Sequence, residues 1–258
     1  MSAFVLGHRG MLGHVVARWL AERGARVLTT ERRHDGTMAL AEEVARSGCD
    51  AAVNCIATLA PGQMMAINGT WPQQLAMALV GRALLVQPSS DGVFSGAAGP
   101  YAAGAAPDAG DEYGLSKRLG ELAAAVPGAR ACVLRCSIVG PELGEGRSLY
   151  AWLSRQRGTV TGFTDRLWNG ITTLAWAQLC ERAMAGELAP GLHQPACEPA
   201  VSKAELLRRI AAARGWSVAV EEADSGSPVD RRLVPTLGMG TIASQLEALV
   251  RWYEGHVR

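Results

Sequence analysis

Short apolar runs alternate with longer amphipathic segments through the first 140 residues. AFVLG (3–7), ARVLTT (25–30), DAAVNCIA (50–57), RALLVQPSS (82–90) and ARACVLRCSIVG (129–140) have strand length and few polar interruptions. Between them, GHVVARWLAERG (13–24), MALAEEVARSG (38–48), TWPQQLAMALVG (70–81) and YGLSKRLGELAAAV (113–126) carry helical spacing; Gly24 closes the first and Thr70 is placed to cap the third. Strands apolar on both faces and separated by helices make βαβ units. The pattern therefore predicts an α/β fold with a doubly wound parallel sheet of the Rossmann type.

The texture changes after Gly140. Residues 141–170 hold turns and aromatics without a clean period, whereas TTLAWAQLCERAMAG (172–186) returns to a helix. GLHQPA (191–196) fits a late strand of the sheet, SKAE (202–205) is a capping box for a helix reaching Gly215, and a last helix runs from about 240 to the end. The expected organisation is a dinucleotide-binding domain, 1–140 plus about 171–197, and a small mixed substrate-binding part, 141–170 plus about 198–258. GAAGPYAAGAAPDAG (96–110) is low in complexity and reads as a loop.

Composition narrows the classes. With 258 residues there is ample chain for a core, and a formal net charge of +1 with dispersed charges argues against nucleic-acid or anionic-membrane partners. No apolar run approaches the ~18 residues of a membrane span, and MSAFVLGHRG enters a strand without the charged start of a signal peptide. The six cysteines (49, 55, 132, 136, 180, 197) form no CxxC pair and read as reduced core thiols, so a cytoplasmic location is expected. His193 stands alone, and no metal site is expected.

Chemistry enters at the first turn. GHRGMLG sets Gly7, Gly10 and Gly13 between the first strand and first helix, where glycine lets backbone approach a pyrophosphate and the helix start favours its charge. Arg9, Met11 and Leu12 complete this cofactor turn. At the end of the second strand, Glu31 is placed to hold adenosine ribose hydroxyls, as an acid does for NAD(H). Arg32 and Arg33, with Arg9, are placed to pair with a 2′-phosphate instead. The balance leans to NADP(H) and leaves NAD(H) open.

A second signal is a lysine. Of 25 basic residues, 23 are arginine and only Lys117 and Lys203 are lysine. Lys117 falls four residues after Tyr113, one of four tyrosines, so both project from one helix face. A phenol with a pKa near 10 is a poor acid at neutral pH. A neighbouring ammonium stabilises its phenolate and reaches a nicotinamide ribose, work that suits a compact, flexible charge better than arginine's fork.

The glycine turn, SSDGVFSG (89–96), YGLSK (113–117) with GE (120–121), and RCSIVG (135–140) together resemble an extended short-chain dehydrogenase/reductase. Within that superfamily they look most like the dTDP-4-dehydrorhamnose reductase group of sugar-nucleotide reductases, strongly over about residues 3–140. Pro100–Tyr101 matches a further motif of that group. The resemblance implies that Ser90 holds the substrate carbonyl oxygen, Tyr113 protonates it, and Lys117 lowers the pKa of Tyr113 and grips the ribose. It implies that Asp91 lies beside the sugar, that Ile56–Ala57 pass under the cofactor, and that Ser137 lies at the nicotinamide end. Trp168 and Asn169 fall where the family binds the nucleotide, and Arg231 and Arg232 are placed for a diphosphate. A nucleotide-sugar substrate is implied, and a homodimer is left open.

The chain departs from the family pattern at Gly92 (an aromatic in the family), Pro88, the alanine stretch 102–106 and Ile138. The expected activity is NAD(P)H-dependent reduction of a keto group on a nucleotide-linked deoxysugar. Two readings compete with it: an epimerase or dehydratase sharing the Tyr and Lys, and a non-catalytic cofactor-binding subunit like the methionine adenosyltransferase regulatory subunit.

Overall fold

A computed structural model describes residues 1–143 and 146–255. Six parallel strands form the central sheet: β1 (Ser2–Leu6), β2 (Arg26–Leu28), β3 (Ala51–Asn54), β4 (Leu84–Ser89), β5 (Arg130–Arg135) and the short strand Gly191–His193. In space β2 lies on one side of β1, while β3, β4, β5 and Gly191–His193 follow in order on the other. The winding direction reverses between β1 and β3, and in such sheets ligands collect at that switch, beyond the carboxyl ends of the strands.

Alternation along each strand feeds two cores. Ala3 and Val5 of β1, Ala51 and Val53 of β3, and Leu84 and Val86 of β4 face α1 (Gly13–Glu22) and the helix Thr173–Met184. Phe4, Leu6, Ala52 and Leu85 face the opposite layer, with α2 (Ala39–Arg46) and α3 (Trp71–Ala78). Each buried Val or Leu contributes about 1.5–3 kcal/mol, so both faces must be covered, as the continuous apolar runs require. Pro88 is tolerated within β4 because it lies beyond the last β3–β4 pair, Val53 with Val86.

The remaining chain builds a smaller body with its own core of Leu153, Trp168, Leu206, Leu207 and Ile210. Strand Gly158–Phe163 pairs in parallel with Val218–Ala223, and Arg166–Trp168 pairs with Val201–Ser202 and Val229–Asp230. Helix Leu149–Ser154 also lies within the segment that the sequence pattern leaves irregular. These strands escape the periodicity because they are short, and Val218–Ala223 is half-exposed rather than buried.

Several boundaries differ from the sequence expectation. Thr70 is not a cap: the helix starts earlier, as a π-helical turn over Met65–Thr70, and the Thr70 hydroxyl donates to Met65 O. The run 129–140 is two strands, since after Arg135 the chain leaves the central sheet and Ile138–Val139 pairs with Ile171–Thr172. The helix after the fourth strand, α4 (Glu112–Glu121), is capped by Asp111 on Gly114 N at 2.7 Å and tightens to a 3-10 turn over Leu122–Ala125. In the SKAE box, Ser202 accepts from Glu205 N at 3.1 Å, while the Glu205 carboxylate takes Arg209 instead of completing the box. The loop 96–110 is tied down by Asp108, which accepts from Ser95 N and Ser95 Oγ, and by Tyr101 stacked on Phe94 at 4.0 Å.

Candidate active site

Two cavities open at the carboxyl edge of the sheet. One, of about 460 Å³, lies at the switch between β1 and β3 and is lined by Gly7, Arg9, Gly10, Glu31, Arg32, Arg33, Ile56 and Ala57, among others. Gly7 has φ +69°, and a Cβ there would stand 2.9 Å from the Cys55 carbonyl, so only glycine lets the turn pass so close to the end of β3. A Cβ at Gly13 would collide with Gly7 O. Met11 and Leu12 lead into α1, whose N-terminus has no side-chain cap, leaving backbone N–H groups for an anion. These features fit a dinucleotide's pyrophosphate.

At the adenosine end, Arg9 holds Glu31 at 2.7 Å and His8 Nε2 stands 3.5 Å from the same carboxylate. Arg32 is engaged by Glu43 at 3.0 Å. Among the described residues Arg33 has no acidic partner, which leaves it the cation open to a phosphate.

The catalytic candidates lie at the end of the next strand. Ser90 follows β4; its Oγ accepts from Gly92 N at 3.0 Å and donates to Asp91 Oδ1 at 3.2 Å. Tyr113 reaches Ser90 from α4. Burial pushes its phenol above the usual value, the Ser90 hydrogen bond opposes this, and the Asp91 charge pushes it further up. The group is thus held protonated at neutral pH, as a proton donor must be; the lowering expected from Lys117 is not found, because burial dominates. Lys117, one turn on and buried, donates from Nζ to Pro88 O at 2.9 Å. Burial pulls its ammonium down to about 8, with Glu121 opposing. Gly92 lies directly under the tyrosine, since a Cβ there would stand 3.0 Å from Tyr113 Cε1.

A buried ion pair holds this helix to the sheet. Glu121 accepts from Arg135 Nε at 2.6 Å and Nη2 at 2.8 Å, from Arg118 at 2.8 Å and from Ser89 Oγ at 2.8 Å. The separate motifs GE and RCSIVG are therefore two halves of one contact. Asn68, which sequence reasoning missed, sits in the π-helical turn, exchanges two hydrogen bonds with Thr58 backbone and donates to Ser116 Oγ. It joins the chain after β3 to α4, and no local sequence signal marks it.

The second cavity, of about 670 Å³, is lined by Asp91, Ser137, Trp152, Phe163, Trp168, Lys203 and Arg231, among others. Trp168 Nε1 donates to Ser137 Oγ at 2.7 Å. Asn169 is not brought to the cavity, because both ends of its amide are spent on the Leu233 backbone at 2.8 and 3.1 Å. Arg232 is likewise taken by Asp230. Lys203 was named in the sequence only for its rarity, yet it lines the cavity beside Asp91. Among the described residues no cluster of three His, Cys, Asp or Glu side chains is placed to hold a metal, and no helix is long and apolar enough to cross a membrane. All six cysteines are free.

The model of a family described as RmlD substrate binding domain matches residues 1–236. The probable low-salt glycan biosynthesis reductase Agl14 of Haloferax volcanii is 31% identical over 194 residues, covering 64% of this chain and 65% of that protein, under two thirds of its length. The crystal structure of a dTDP-4-dehydrorhamnose reductase from Clostridium acetobutylicum superposes with a TM-score of 0.84 at 18% identity, covering 98% of this chain and 100% of that one. The dTDP-4-dehydrorhamnose reductase of Bacillus anthracis, solved with NADP, gives 0.85 at 18% identity over 97% and 99%. At such identity these structures speak to the fold.

Proposed function

The chain belongs to the RmlD substrate binding domain family, and we propose that it is an NAD(P)H-dependent reductase of a keto group on a nucleotide-linked sugar. The observation that carries this reading is the Ser90–Tyr113 contact at the end of β4, with Lys117 buried one turn behind it. In the sheet, β4 lies between β3, which leads to Ile56–Ala57, and β5, which leads to Ser137. A dinucleotide along the first cavity and a sugar in the second would meet at that strand end.

Gly7, Gly10 and the start of α1 would hold the pyrophosphate, Arg33 a 2′-phosphate, and Lys117 the nicotinamide ribose. When bound, the cofactor supplies the hydride. The chain's own residues handle the proton. Ser90 gives a hydrogen bond to the carbonyl oxygen once its proton turns from Asp91, and Tyr113 donates the proton that oxygen takes up. The Lys117 ammonium stabilises the phenolate left behind. Asp91, Trp168 and Arg231 line the sugar-nucleotide side. NADPH is the preferred reductant in this reading, the compartment is the cytoplasm, and the product serves glycan assembly, a role in keeping with the name of the Haloferax relative.

The test is loss of reduced-nicotinamide absorbance with dTDP-4-dehydrorhamnose and related keto sugars, beside a Tyr113→Phe control. Stoichiometric oxidation that the control loses supports the reductase. Cofactor binding without net oxidation on any keto sugar would sink it and favour an epimerase or a binding subunit.

A further inference from the structure

The chain's second lysine occupies a costly position. Lys203 is the first residue of the helix Lys203–Arg214, behind the Ser202 cap, where a positive charge opposes the helix dipole. Its side chain is half-buried on the wall of the larger cavity, with its ammonium 5.6 Å from the Trp168 ring centroid. Among the described residues that ammonium has no hydrogen-bond acceptor and no ion pair within bonding distance. Its charge neighbours are Asp91 and Arg231, which line the same cavity. An ammonium held half-buried over one ring face, with no hydrogen-bond acceptor, costs stability, so neither capping nor packing accounts for the residue. Arginine, which supplies 23 of the 25 basic residues, is also the wrong shape for a recess already holding the Arg231 fork.

The surroundings fix what the ammonium is for. Trp168 is oriented by its bond to Ser137, and Asp91 by its bond to Ser90, so Lys203 lies between two side chains tied to the reacting end of the cavity. Asp91 offers acceptors and Lys203 offers three donors, side by side. A sugar ring presents that complement, hydroxyl groups that donate to a carboxylate and oxygens that accept from an ammonium.

Resting on the nucleotide-sugar reading of this cavity, we propose that Lys203 is a substrate-positioning residue that, paired with Asp91, grips oxygens of the sugar and holds its carbonyl against Ser90 and Tyr113. The pair reads the sugar and not the diphosphate, which is left to Arg231 and Arg166, two further cations on the lining of the same cavity.

The experiment is calorimetric titration of wild type, Lys203→Met and Lys203→Gln with two probes, dTDP-rhamnose and dTDP, alongside thermal unfolding and turnover. Loss of one charge-assisted hydrogen bond weakens dTDP-rhamnose binding about tenfold or more, with dTDP binding unchanged in both variants. The melting temperature of Lys203→Met stays level or rises, because an opposed helix charge has been removed. Equal weakening of both probes would assign Lys203 to the diphosphate and overturn the proposal, as would no change with either, or no binding of dTDP-rhamnose to wild type. Selective weakening in a protein that oxidises no NADPH would support Lys203 while ending the reductase reading. Turnover unaffected by Lys203→Met would leave the reductase and end the role of Lys203.

Discussion

Glu121 and Arg135 face each other across the α4–β5 contact in a two-point ion pair at 2.6 and 2.8 Å, with the guanidinium 1% and the carboxylate 3% exposed. Burial pushes the Glu121 carboxyl up, but Arg135, helped by Arg118 and Ser89, outweighs it and holds the group below the usual range. Removing one partner strands the other charge in the core. Glu121→Ala is therefore expected to destabilise the fold by about 3–5 kcal/mol in urea unfolding. Because its folded value is depressed, the stability Glu121 contributes is present above its unfolded pKa and is lost as pH falls through the folded one. The variant should show a weaker acid dependence than wild type.

Tyr113→Phe removes the hydroxyl proposed as the proton donor beside Ser90 while leaving the ring in place. Turnover should fall by about 10²-fold or more, the scale of a lost general acid. NADPH affinity, read by fluorescence titration, should stay within about twofold, since the hydroxyl lies outside the pyrophosphate cavity.

Lys117 predicts a pH limb. Its ammonium titrates at about 8 because of burial, while the Tyr113 phenol is pushed up and stays protonated. As pH rises through about 8, Lys117 loses the charge proposed to stabilise the phenolate, so kcat/KM for the sugar should descend there. Stability moves the other way. Between about 8 and the unfolded value of ~10.4, the unfolded chain binds the extra proton, so this group's destabilising effect fades with rising pH. Lys117→Met should abolish both effects.

In the proposed reading Arg33 decides the reductant. Glu31 is engaged by Arg9 and Arg32 by Glu43, which leaves Arg33 open in the adenosine cavity. Arg33→Ala should lower kcat/KM for NADPH about tenfold, the modest value of an exposed charge-assisted contact, with NADH unaffected. Equal losses with both cofactors would refute the assignment.

Legibility followed the range of each signal. The βαβ frame was readable because both faces of β1, β3 and β4 are buried, so apolar runs mark them without ambiguity. Tyr113 and Lys117 were readable because a helix turn brings them together locally. The strands Gly158–Phe163 and Val218–Ala223 were not, since their pairing spans about 60 residues and leaves one face wet. Sequence neighbourhood places Asn169 with the cavity, but its amide is turned to Leu233 by backbone partners 64 residues away. Lys203 carried a signal, the rarity of lysine, whose meaning required knowing that its helix begins on the cavity wall.

Gly92 gives the sharpest geometric test. The family pattern that the chain resembles carries an aromatic here, so the sequence alone predicts a missing or rebuilt pocket wall. In the fold, a Cβ at this position would stand 3.0 Å from Tyr113 Cε1, 3.3 Å from Cδ1 and 3.2 Å from Ser90 Oγ. The backbone conformation of Gly92 needs no positive φ, so alanine is admitted by the chain itself and the whole effect falls on the Ser90 and Tyr113 side chains. The ring has to shift by a few tenths of an ångström, and the Ser90 hydroxyl with it. A misplacement of about 1 Å costs ~10²-fold, so a smaller one should lower kcat about tenfold in Gly92→Ala. NADPH affinity should hold, and the melting temperature should move by only a few degrees, because the methyl meets a ring edge and not backbone. Unchanged kcat in a normally folded Gly92→Ala enzyme would mean that the tyrosine is not held where the Ser90 contact requires it.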